Sequence, residues 1–391
     1  MSTFDLPPLP HYFTPAHEQF RASLRSFMDR EVTPFVNAWD EAETFPPRLY
    51  QQVADLGVTG LGYPTHLGGT PADVFYKIIL AEEYARCGSG GLQASINSHT
   101  IALPPILMAG SDALQQEVVP PVLRGDKIAA LAVTEPGGGS DVAALKTTAV
   151  RDGDDYIVNG EKTFITSGMR AHFITTAVRT DPQSKGAQGI SVLVIDGDTP
   201  GLTRTVLKKM GWWCSDTAHL HFDNCRVPAT RLVGEEHQGF KTIMSNFNAE
   251  RLFMAAVAYG QAQVCVDEAL DWARQRSTFG QPLSERQVVR HKLMDMQLRI
   301  DAARSHVHEL AYRIEHQLGE PAALVARIAM VKVLATQALQ FCADQALQIL
   351  GGMGYMRGTR SERIYREVKV MMIGGGSEEI LKDLAARQLG V

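Results

Sequence analysis

The 391-residue sequence has few cysteines, little net charge and no long apolar runs. Its five cysteines form no CxxC pair and are odd in number, which argues against a disulfide framework and against a zinc site. We therefore expect buried free thiols. A formal net charge of −5 offers no basic surface to a phosphate backbone, so nucleic acid is not an expected partner.

From the sequence we also expect neither a targeting segment nor a membrane-spanning segment. No uninterrupted apolar run approaches the roughly 20 residues that a membrane-spanning helix requires, so no span is expected. The N-terminal stretch MSTFDLPPLPHYF contains Asp5 and several prolines where a secretory signal has a basic stretch and an apolar run. These features predict a cytoplasmic protein.

The periodicity of apolar residues divides the chain into three parts. Residues from about 15 to 125 repeat at spacings of three and four, the middle alternates short strand-like runs with turns, and long apolar helix formers follow. This order predicts an α+β fold without the βαβ alternation of a Rossmann domain. The expected domains are an N-terminal helical domain (1–126), a middle β domain (127–236) and a C-terminal helical bundle (237–391).

Two features of the middle part predict local structure. Asn159-Gly160 is expected to be the two-residue turn of a hairpin, because both turn positions need positive φ. The second strand of that hairpin ends in TFITSG, where Phe164 and Thr166 share one face under period-two alternation. An aromatic plane beside a hydroxyl suits a flavin ring; an ordinary core Phe with a solvated Thr is the alternative.

A glycine triplet follows a predicted strand in LAVTEPGGGSD, residues 131–141. Glycines expose backbone N–H groups and allow a flat or phosphorylated ligand to approach closely, and Thr134 and Ser140 add hydroxyls. Taken alone, this stretch is equally compatible with a surface turn.

Four motifs in a fixed order carry a more specific indication: TEPGGGSD, NGEKTFITSG, RSTFGQPL and QILGGMGY. In this order and spacing they resemble the acyl-CoA dehydrogenase family over essentially the whole chain. The resemblance implies an N-terminal helical domain, a middle β domain and a C-terminal four-helix bundle, which agrees with the division drawn from periodicity. It also implies FAD as cofactor, a homotetramer, and electron-transferring flavoprotein as electron acceptor.

The resemblance further implies, position by position, which residues bind ligands. Those implied for FAD are Leu131, Val133, Thr134, Gly139, Ser140, Phe164, Ile165, Thr166, Gly376, Ser377 and Glu378. Those implied for the FAD of a neighbouring subunit are Arg276, Phe279, Gln287, Gln348 and Gly352. Those implied for the acyl-CoA are Ser140, Asn248, Arg251, Gly374 and Gly375. No metal is implied.

The catalytic base is where this sequence departs from many members of the family. Their base lies in a loop reading Tyr-Glu-Gly-Thr, whereas the matching stretch here, residues 373–377, reads IGGGS. In relatives resembling isovaleryl-CoA and long-chain acyl-CoA dehydrogenases, the base lies on a helix in an Ala/Leu-Glu-Arg-Leu context. Residues 249–252 read AERL, so the resemblance implies Glu250 as the base.

The helical neighbours of Glu250 fit this role. The side chains three and four positions away are Asn246, Phe247, Phe253 and Met254, and none of them is cationic. Adjacent helical residues point about 100° apart, so Arg251 is a poor salt-bridge partner, although a partner from another segment stays open. A desolvated carboxylate has a raised pKa, which suits a general base near neutral pH.

The implied reaction is the α,β-dehydrogenation of an acyl-CoA thioester to trans-2-enoyl-CoA. Glu250 takes the α-proton and FAD N5 accepts the β-hydride. A flavin ribityl hydroxyl and the backbone N–H of Gly374 hold the enolate oxygen. Two alternatives stay open: an acyl-CoA oxidase on the same scaffold, usually a longer chain, and a non-catalytic protein that binds acyl-CoA or flavin.

Several further departures lead to expectations about the substrate. Asn248 stands where relatives often carry an Asp that contacts the CoA arm, and Trp213 stands where Arg is common. The glycine loop, together with the small Gly91 and Ser95 of the acyl-cavity helix, predicts room for a medium, long or branched acyl chain. Gly374 and Glu250 are expected to be alternative positions for one carboxylate, because two carboxylates at one α-carbon would share a proton.

Overall fold

The computed structural model describes residues 3–4 and 7–391, apart from the side chains of Ser245 and Asn246. The first part of the chain is helical, as its periodicity predicted. Its helices are α1 (Pro15–Phe27), α2 (Val36–Glu41), α3 (Arg48–Asp55), α4 (Val74–Ala85), α5 (Gly90–Ile96), α6 (His99–Ala102), α7 (Pro104–Ala109) and α8 (Asp112–Leu123). Side-chain caps start several of them; Asp73, for example, accepts hydrogen bonds from the first backbone N–H groups of α4.

The middle part is a single seven-stranded sheet. Its strands are β1 (Ala129–Ala132), β2 (Thr148–Asp152), β3 (Asp155–Thr166), β4 (Phe173–Arg179), β5 (Ile190–Asp196), β6 (Leu202–Val206) and β7 (Thr217–Pro228). The strand order is β1-β4-β2-β3-β7-β6, with β5 paired to β4. Strands β1 and β4 run parallel, whereas β3 and β7 form a long antiparallel pair. A largely exposed loop, residues 180–189, connects β4 to β5.

The hairpin turn predicted at Asn159-Gly160 is wrong. Strand β3 runs straight through both residues, and the tight connection to β2 lies at Gly153 and Asp154 instead, where Gly153 has φ +60°. Gly160 lies at a bulge in the pairing of β3 with β7 and has φ +142°. A Cβ at Gly160 would lie 2.7 Å from the Cα of Thr147, so a close backbone approach, and not a turn, requires this glycine.

The last part of the chain is a bundle of long helices. Its elements are α9 (Gly239–Gln275), the short strands β8 (Ser277–Thr278) and β9 (Gln281–Pro282), α10 (Gln287–Glu315), α11 (Pro321–Leu350), α12 (Gly352–Tyr355), α13 (Arg360–Ile373) and α14 (Glu378–Leu389). The helical, β and helical parts together confirm the predicted α+β fold. All five cysteines are buried and free, as expected.

Helix α11 is long and apolar enough to span a membrane by length and composition. Arg327, Lys332 and Asp344 interrupt its apolar sequence, so no uninterrupted run is visible in the chain. In the structure α11 packs against α9, α10, α13 and α14. Its apolar side chains therefore face the interior of the bundle, where a core helix also has this composition.

Helix α9 is the element that connects the three parts. It has 37 residues, packs against α4 of the N-terminal part, touches β5 of the sheet, and forms the bundle with α10, α11 and α13. Glu250 lies in its first half, close to the part of α9 that meets the sheet. A residue at this position can face ligands held by all three parts of the chain.

Candidate active site

The Glu250 carboxylate is buried, and its Oε2 has no hydrogen-bond partner among the described residues. Burial raises the pKa of Glu250 to about 7, while the positive charges of Arg251 and Lys332 act in the opposite direction. The helical environment predicted from the sequence is therefore correct for the described neighbours; the Asn246 side chain lies outside the described residues. A carboxylate with these properties can accept a proton near neutral pH.

Arg251 directs its hydrogen bonds away from Glu250. Its Nε donates to the backbone oxygen of Gly375 at 2.9 Å, and its Nη1 donates to Oδ1 of Asn248 at 3.1 Å. Arg251 thus joins α9 to the loop between α13 and α14. In the structure Asn248 accepts this hydrogen bond from Arg251, and its contact with the CoA arm stays a prediction.

The glycine loop lies against the face of α9 that carries Glu250. Gly375 and Gly376 have φ +68° and +109°. A Cβ at Gly375 would lie 2.9 Å from Sδ of Met254, one helical turn after Glu250, whereas a Cβ at Gly374 would meet only the backbone oxygen of Val370 at 3.1 Å. The loop position that faces α9 is therefore Gly375, one residue after the Gly374 inferred from the sequence.

The backbone donor predicted for the enolate oxygen also moves from Gly374 to Gly375. The Gly374 N–H donates to the backbone oxygen of Val370 at 2.7 Å, because it completes the last turn of α13. It is therefore not available to a substrate. The N–H of Gly375 has no acceptor among the described residues and takes over this role as the candidate donor.

The motifs on β1 and β3 meet at one edge of the sheet. The Thr163 N–H donates to the backbone oxygen of Thr134 at 2.9 Å, and the Thr134 hydroxyl donates to the backbone oxygen of Thr163. One residue before Thr163, Nζ of the buried Lys162 donates to the backbone oxygen of Val133 at 3.0 Å and to Oε1 of Glu135 at 2.8 Å. These bonds fix the strand end from which the glycine triplet extends.

The surface above this strand end is open. Gly137 has no atom within 4 Å of its ideal Cβ position, and Gly139 has only Thr134, at 3.8 Å. Phe164 is 69% exposed, with φ +62°, and Thr166 is half-buried on the same side. A flat ring has room here, against an aromatic face and beside two threonine hydroxyls.

Not every residue predicted to line the flavin directs its side chain there. The side chains of Val133, just after β1, and of Ile165, in β3, are buried in two of the hydrophobic cores. Only their backbone groups could contact a ligand. Ser377 caps the first turn of α14, and Glu378 accepts hydrogen bonds from Gln337 at 2.8 Å and Lys382 at 3.2 Å.

The five residues predicted to reach a neighbouring subunit's FAD lie at the other end of the bundle. All are exposed: Arg276, Phe279, Gln287, Gln348 and Gly352. The Arg286 guanidinium lies over the Phe279 ring, which is 98% exposed in the single chain. A helix rises about 1.5 Å per residue, so the end of α9 at Gln275 lies roughly 38 Å from Glu250 along the helix axis.

Two expectations about the acyl cavity change with the structure. A Cβ at Gly91 would lie 2.7 Å from the Cα of Trp212, so the missing side chain makes room for Trp212 and not for a ligand. The Ser95 hydroxyl donates to Ser215 Oγ at 2.8 Å inside the protein. Sequence reasoning could not anticipate this packing, because Trp212 comes from a distant segment.

Trp213 also has a defined environment. Two guanidinium groups lie over its ring, those of Arg366 and Arg357, at 3.8 Å and 4.1 Å from the ring centroid. The aromatic residue therefore ties the β domain to α13 and to the segment before it.

The sequence analysis missed Lys332 of α11. Its side chain is buried, and its Nζ donates to the backbone oxygens of Gly376 at 2.9 Å and Met372 at 3.3 Å. A single lysine inside the apolar stretch IAMVKVLATQAL was the only indication in the sequence.

Comparison with known proteins accounts for nearly the whole chain. Family models described as the N-terminal, middle and C-terminal domains of acyl-CoA dehydrogenase match residues 14–126, 130–225 and 237–390. The rat mitochondrial short-chain specific acyl-CoA dehydrogenase is 35% identical over 95% of this chain and 90% of its own length.

Solved structures agree with the family models. A Mycobacterium smegmatis protein assigned to the acyl-CoA dehydrogenases superimposes with a TM-score of 0.93 and 44% identity, covering 97% of this chain and 99% of its own. The acyl-CoA dehydrogenase of Geobacillus kaustophilus has a TM-score of 0.92 and 35% identity over the full length of both chains. The family resemblance seen in the four motifs is confirmed, and the chain belongs to the acyl-CoA dehydrogenase family of flavin-dependent enzymes that dehydrogenate acyl-CoA thioesters.

Proposed function

We propose that this protein oxidises an acyl-CoA at its α and β carbons with Glu250 as the base and FAD as the resident cofactor. The observation that carries the assignment is the buried Glu250 Oε2, which has no hydrogen-bond partner among the described residues and lies on a helix face that meets a loop without side chains. No other carboxylate is available from that loop, since residues 374–376 are glycines.

The reaction begins with removal of a proton from the α-carbon of the thioester. This proton is very weakly acidic, so its removal requires donors that hold the developing enolate oxygen. The free N–H of Gly375 supports such a role, because Arg251 holds the carbonyl of the same residue. Glu250 ends the step as a neutral acid, and the electron pair of the α-carbon forms the double bond as the β-hydrogen leaves as hydride.

The residues at the sheet edge fit the cofactor implied by the family. The open glycine triplet, the exposed Phe164 ring and the hydroxyls of Thr134 and Thr166 would hold the flavin ring beside the region faced by Glu250. When bound there, FAD would supply the acceptor for the β-hydride. The chain itself orients the thioester and holds the proton.

The exposed residues at the far end of the bundle, beyond the end of α9, support an oligomer in which subunits share the cofactor. An FAD whose ring lies near Glu250 cannot extend the roughly 38 Å along α9 to Arg276 of the same chain. These residues are nevertheless exposed and include a guanidinium and an aromatic ring suited to a diphosphate and an adenine. We infer that they serve a neighbouring subunit within a homotetramer.

The proposal also includes the electron acceptor and the cellular location. One solved structure, described as an electron-transferring flavoprotein of Acidaminococcus fermentans, matches this chain at 30% identity with a TM-score of 0.91. Together with the family membership, this likeness supports electron-transferring flavoprotein as the partner that reoxidises the enzyme. We place the protein in the cytoplasm.

The test is anaerobic titration of the purified protein with acyl-CoA thioesters. A flavin spectrum that bleaches on addition of substrate, without oxygen uptake when air is admitted, is the expected result. Rapid oxygen uptake would instead identify an oxidase on this scaffold. A colourless protein that takes up no added FAD would contradict the catalytic assignment.

A further inference from the structure

Lys332 is a fully buried charge that lacks a counterion at close range. Its side chain is 0% exposed. Lys162, which is equally buried, pairs with the Glu135 carboxylate at 2.8 Å, whereas Lys332 makes no such ion pair with any described carboxylate. Burying an unpaired ammonium is costly, so a buried lysine of this kind needs a role that offsets its desolvation.

The hydrogen bonds of the Lys332 ammonium lie where α13 ends and the segment that replaces the usual catalytic loop begins. Its ammonium donates to the backbone oxygens of Gly376 and Met372, while the Arg251 guanidinium donates to that of Gly375. A cation is also favourable at this place because α13 ends there. A loop of three glycines offers no side chain by which to hold it, so these carbonyls are its anchoring points.

This anchoring has two consequences for the site. The Gly375 carbonyl accepts from Arg251, and the Gly376 carbonyl accepts from Lys332. The N–H of Gly375 is left without an acceptor among the described residues. The Lys332 charge also acts on Glu250, as does Arg251 from the same helix as Glu250. The loop contributes no ionisable side chain, and Glu378 at the start of α14 acts on Lys332.

We propose that Lys332 is a positioning residue of the active site: its ammonium bonds the carbonyls of Met372 and Gly376 and so holds the glycine loop in place against the helix that carries Glu250. The proposal rests on the assignment of Glu250 as the base. It gives an otherwise unpaired buried lysine a defined task in proton abstraction.

The test compares Lys332→Met, which keeps the apolar stem and removes the charge, with the parent enzyme. The rate of flavin reduction by the most reactive acyl-CoA is measured between pH 5.5 and 9.5, together with amide hydrogen exchange of residues 374–377. We expect the acidic limb to move up by about one pH unit, a roughly fivefold loss of rate at pH 7, and faster exchange in the loop. Lys332→Arg should restore the limb and the protection.

Two controls separate this role from general destabilisation. Lys382→Met removes one exposed positive charge from α14 and should leave the acidic limb and the loop exchange unchanged. Lys332→Gln, which keeps a donor but no charge, gives the pH profile if the methionine variant does not fold. It should show the same upward shift of the limb.

The outcomes distinguish the proposal from the one on which it rests. If Glu250→Gln is inactive but the neutral Lys332 variants keep the acidic limb and loop exchange of the parent, the positioning role is wrong and the base assignment stands. If Glu250→Gln retains activity, the base assignment itself is wrong.

Discussion

The Nε of Arg251 donates to the backbone oxygen of Gly375 across 2.9 Å and so ties the helix that carries Glu250 to the glycine loop. The bond explains why the arginine beside the candidate base does not neutralise it. The guanidinium is engaged with a carbonyl and with Asn248, and among the described residues no group pairs with Oε2 of the carboxylate. In the proposed mechanism Glu250 of the AERL motif accepts the proton, and Arg251, the next residue, anchors the glycine loop opposite it.

Glu250→Gln should keep the fold and the yellow cofactor but lose reduction by substrate, because the amide is nearly isosteric and cannot accept the proton. Stopped-flow absorbance under anaerobic conditions measures the loss, with Glu309→Gln on the exposed face of α10 as the matched control. A Glu250→Gln variant with more than a few per cent of parental activity would remove Glu250 from the mechanism.

The pH dependence of the parent should follow the raised pKa of Glu250. A base must be ionised, and burial raises this pKa to about 7, so the reduction rate should fall as pH drops through about 7. A profile that stays flat down to pH 5 would show that the Glu250 carboxylate is not desolvated in the working enzyme.

The free energy of unfolding should also depend on the ionisation of Glu250, but it should fall as pH rises, whereas the reduction rate should increase. The folded-state pKa lies above the ordinary 4.5, so the contribution of neutral Glu250 is present below pH 4.5 and is lost as pH rises through about 7. Glu250→Gln should therefore gain stability relative to the parent between pH 4.5 and 8, by at most about 3 kcal/mol. Urea unfolding of both proteins at pH 5 and pH 8 measures this gain; equal differences at both values would contradict it.

Moving the carboxylate to the loop tests which glycine faces the substrate. Gly375→Glu in a Glu250→Gly background should restore part of the lost activity, limited by a cost of roughly 1–2 kcal/mol for a side chain at positive φ. Gly374→Glu in the same background is the matched control and should restore less, because its Cβ points to Val370. Equal rescue from both positions would contradict the geometry of the loop.

The parent enzyme and the variant that combines Gly375→Glu with Glu250→Gly should prefer different acyl chains. The space left by the glycine loop favours chains that are branched or bulky near the thioester, and a glutamate at 375 would fill it. Catalytic efficiency with butyryl, isovaleryl, octanoyl and palmitoyl thioesters is the measurement. Because Trp212 fills the space beside Gly91, the prediction of a medium, long or branched substrate now depends on the loop alone, and a parent enzyme that prefers butyryl-CoA would refute it.

Arg276→Ala should weaken FAD retention in the assembled protein, since a guanidinium on a diphosphate contributes roughly 1.5–3 kcal/mol. Arg274→Ala, two residues earlier and also exposed, is the control and should retain its flavin. Flavin-to-protein ratio after gel filtration and the size of the oligomer are the measurements. If both values stay unchanged in Arg276→Ala, the contribution of this end of the bundle to a neighbouring subunit is wrong.

The sequence by itself determined the fold class, the family and the helical position of Glu250. Helical and strand periodicities depend on neighbours within a few residues, so they survive in the bare sequence. The four motifs add their order along the chain, and the AERL context defines a local helical face. None of these features requires knowledge of which distant segments touch.

Tertiary structure alone decided the features that depend on such contacts. Asn159-Gly160 has the sequence of a turn but lies at a bulge in β3, where Thr147, just before β2, leaves no room for a side chain at Gly160. Gly91 is small because Trp212 packs on it, and Gly375 faces α9 because Met254 meets it there. Lys332 reaches Gly376, 44 residues away, because α11 and the end of α13 pack together. Packing brings residues together without regard to their separation in the chain, so no local pattern in the sequence encodes these partners.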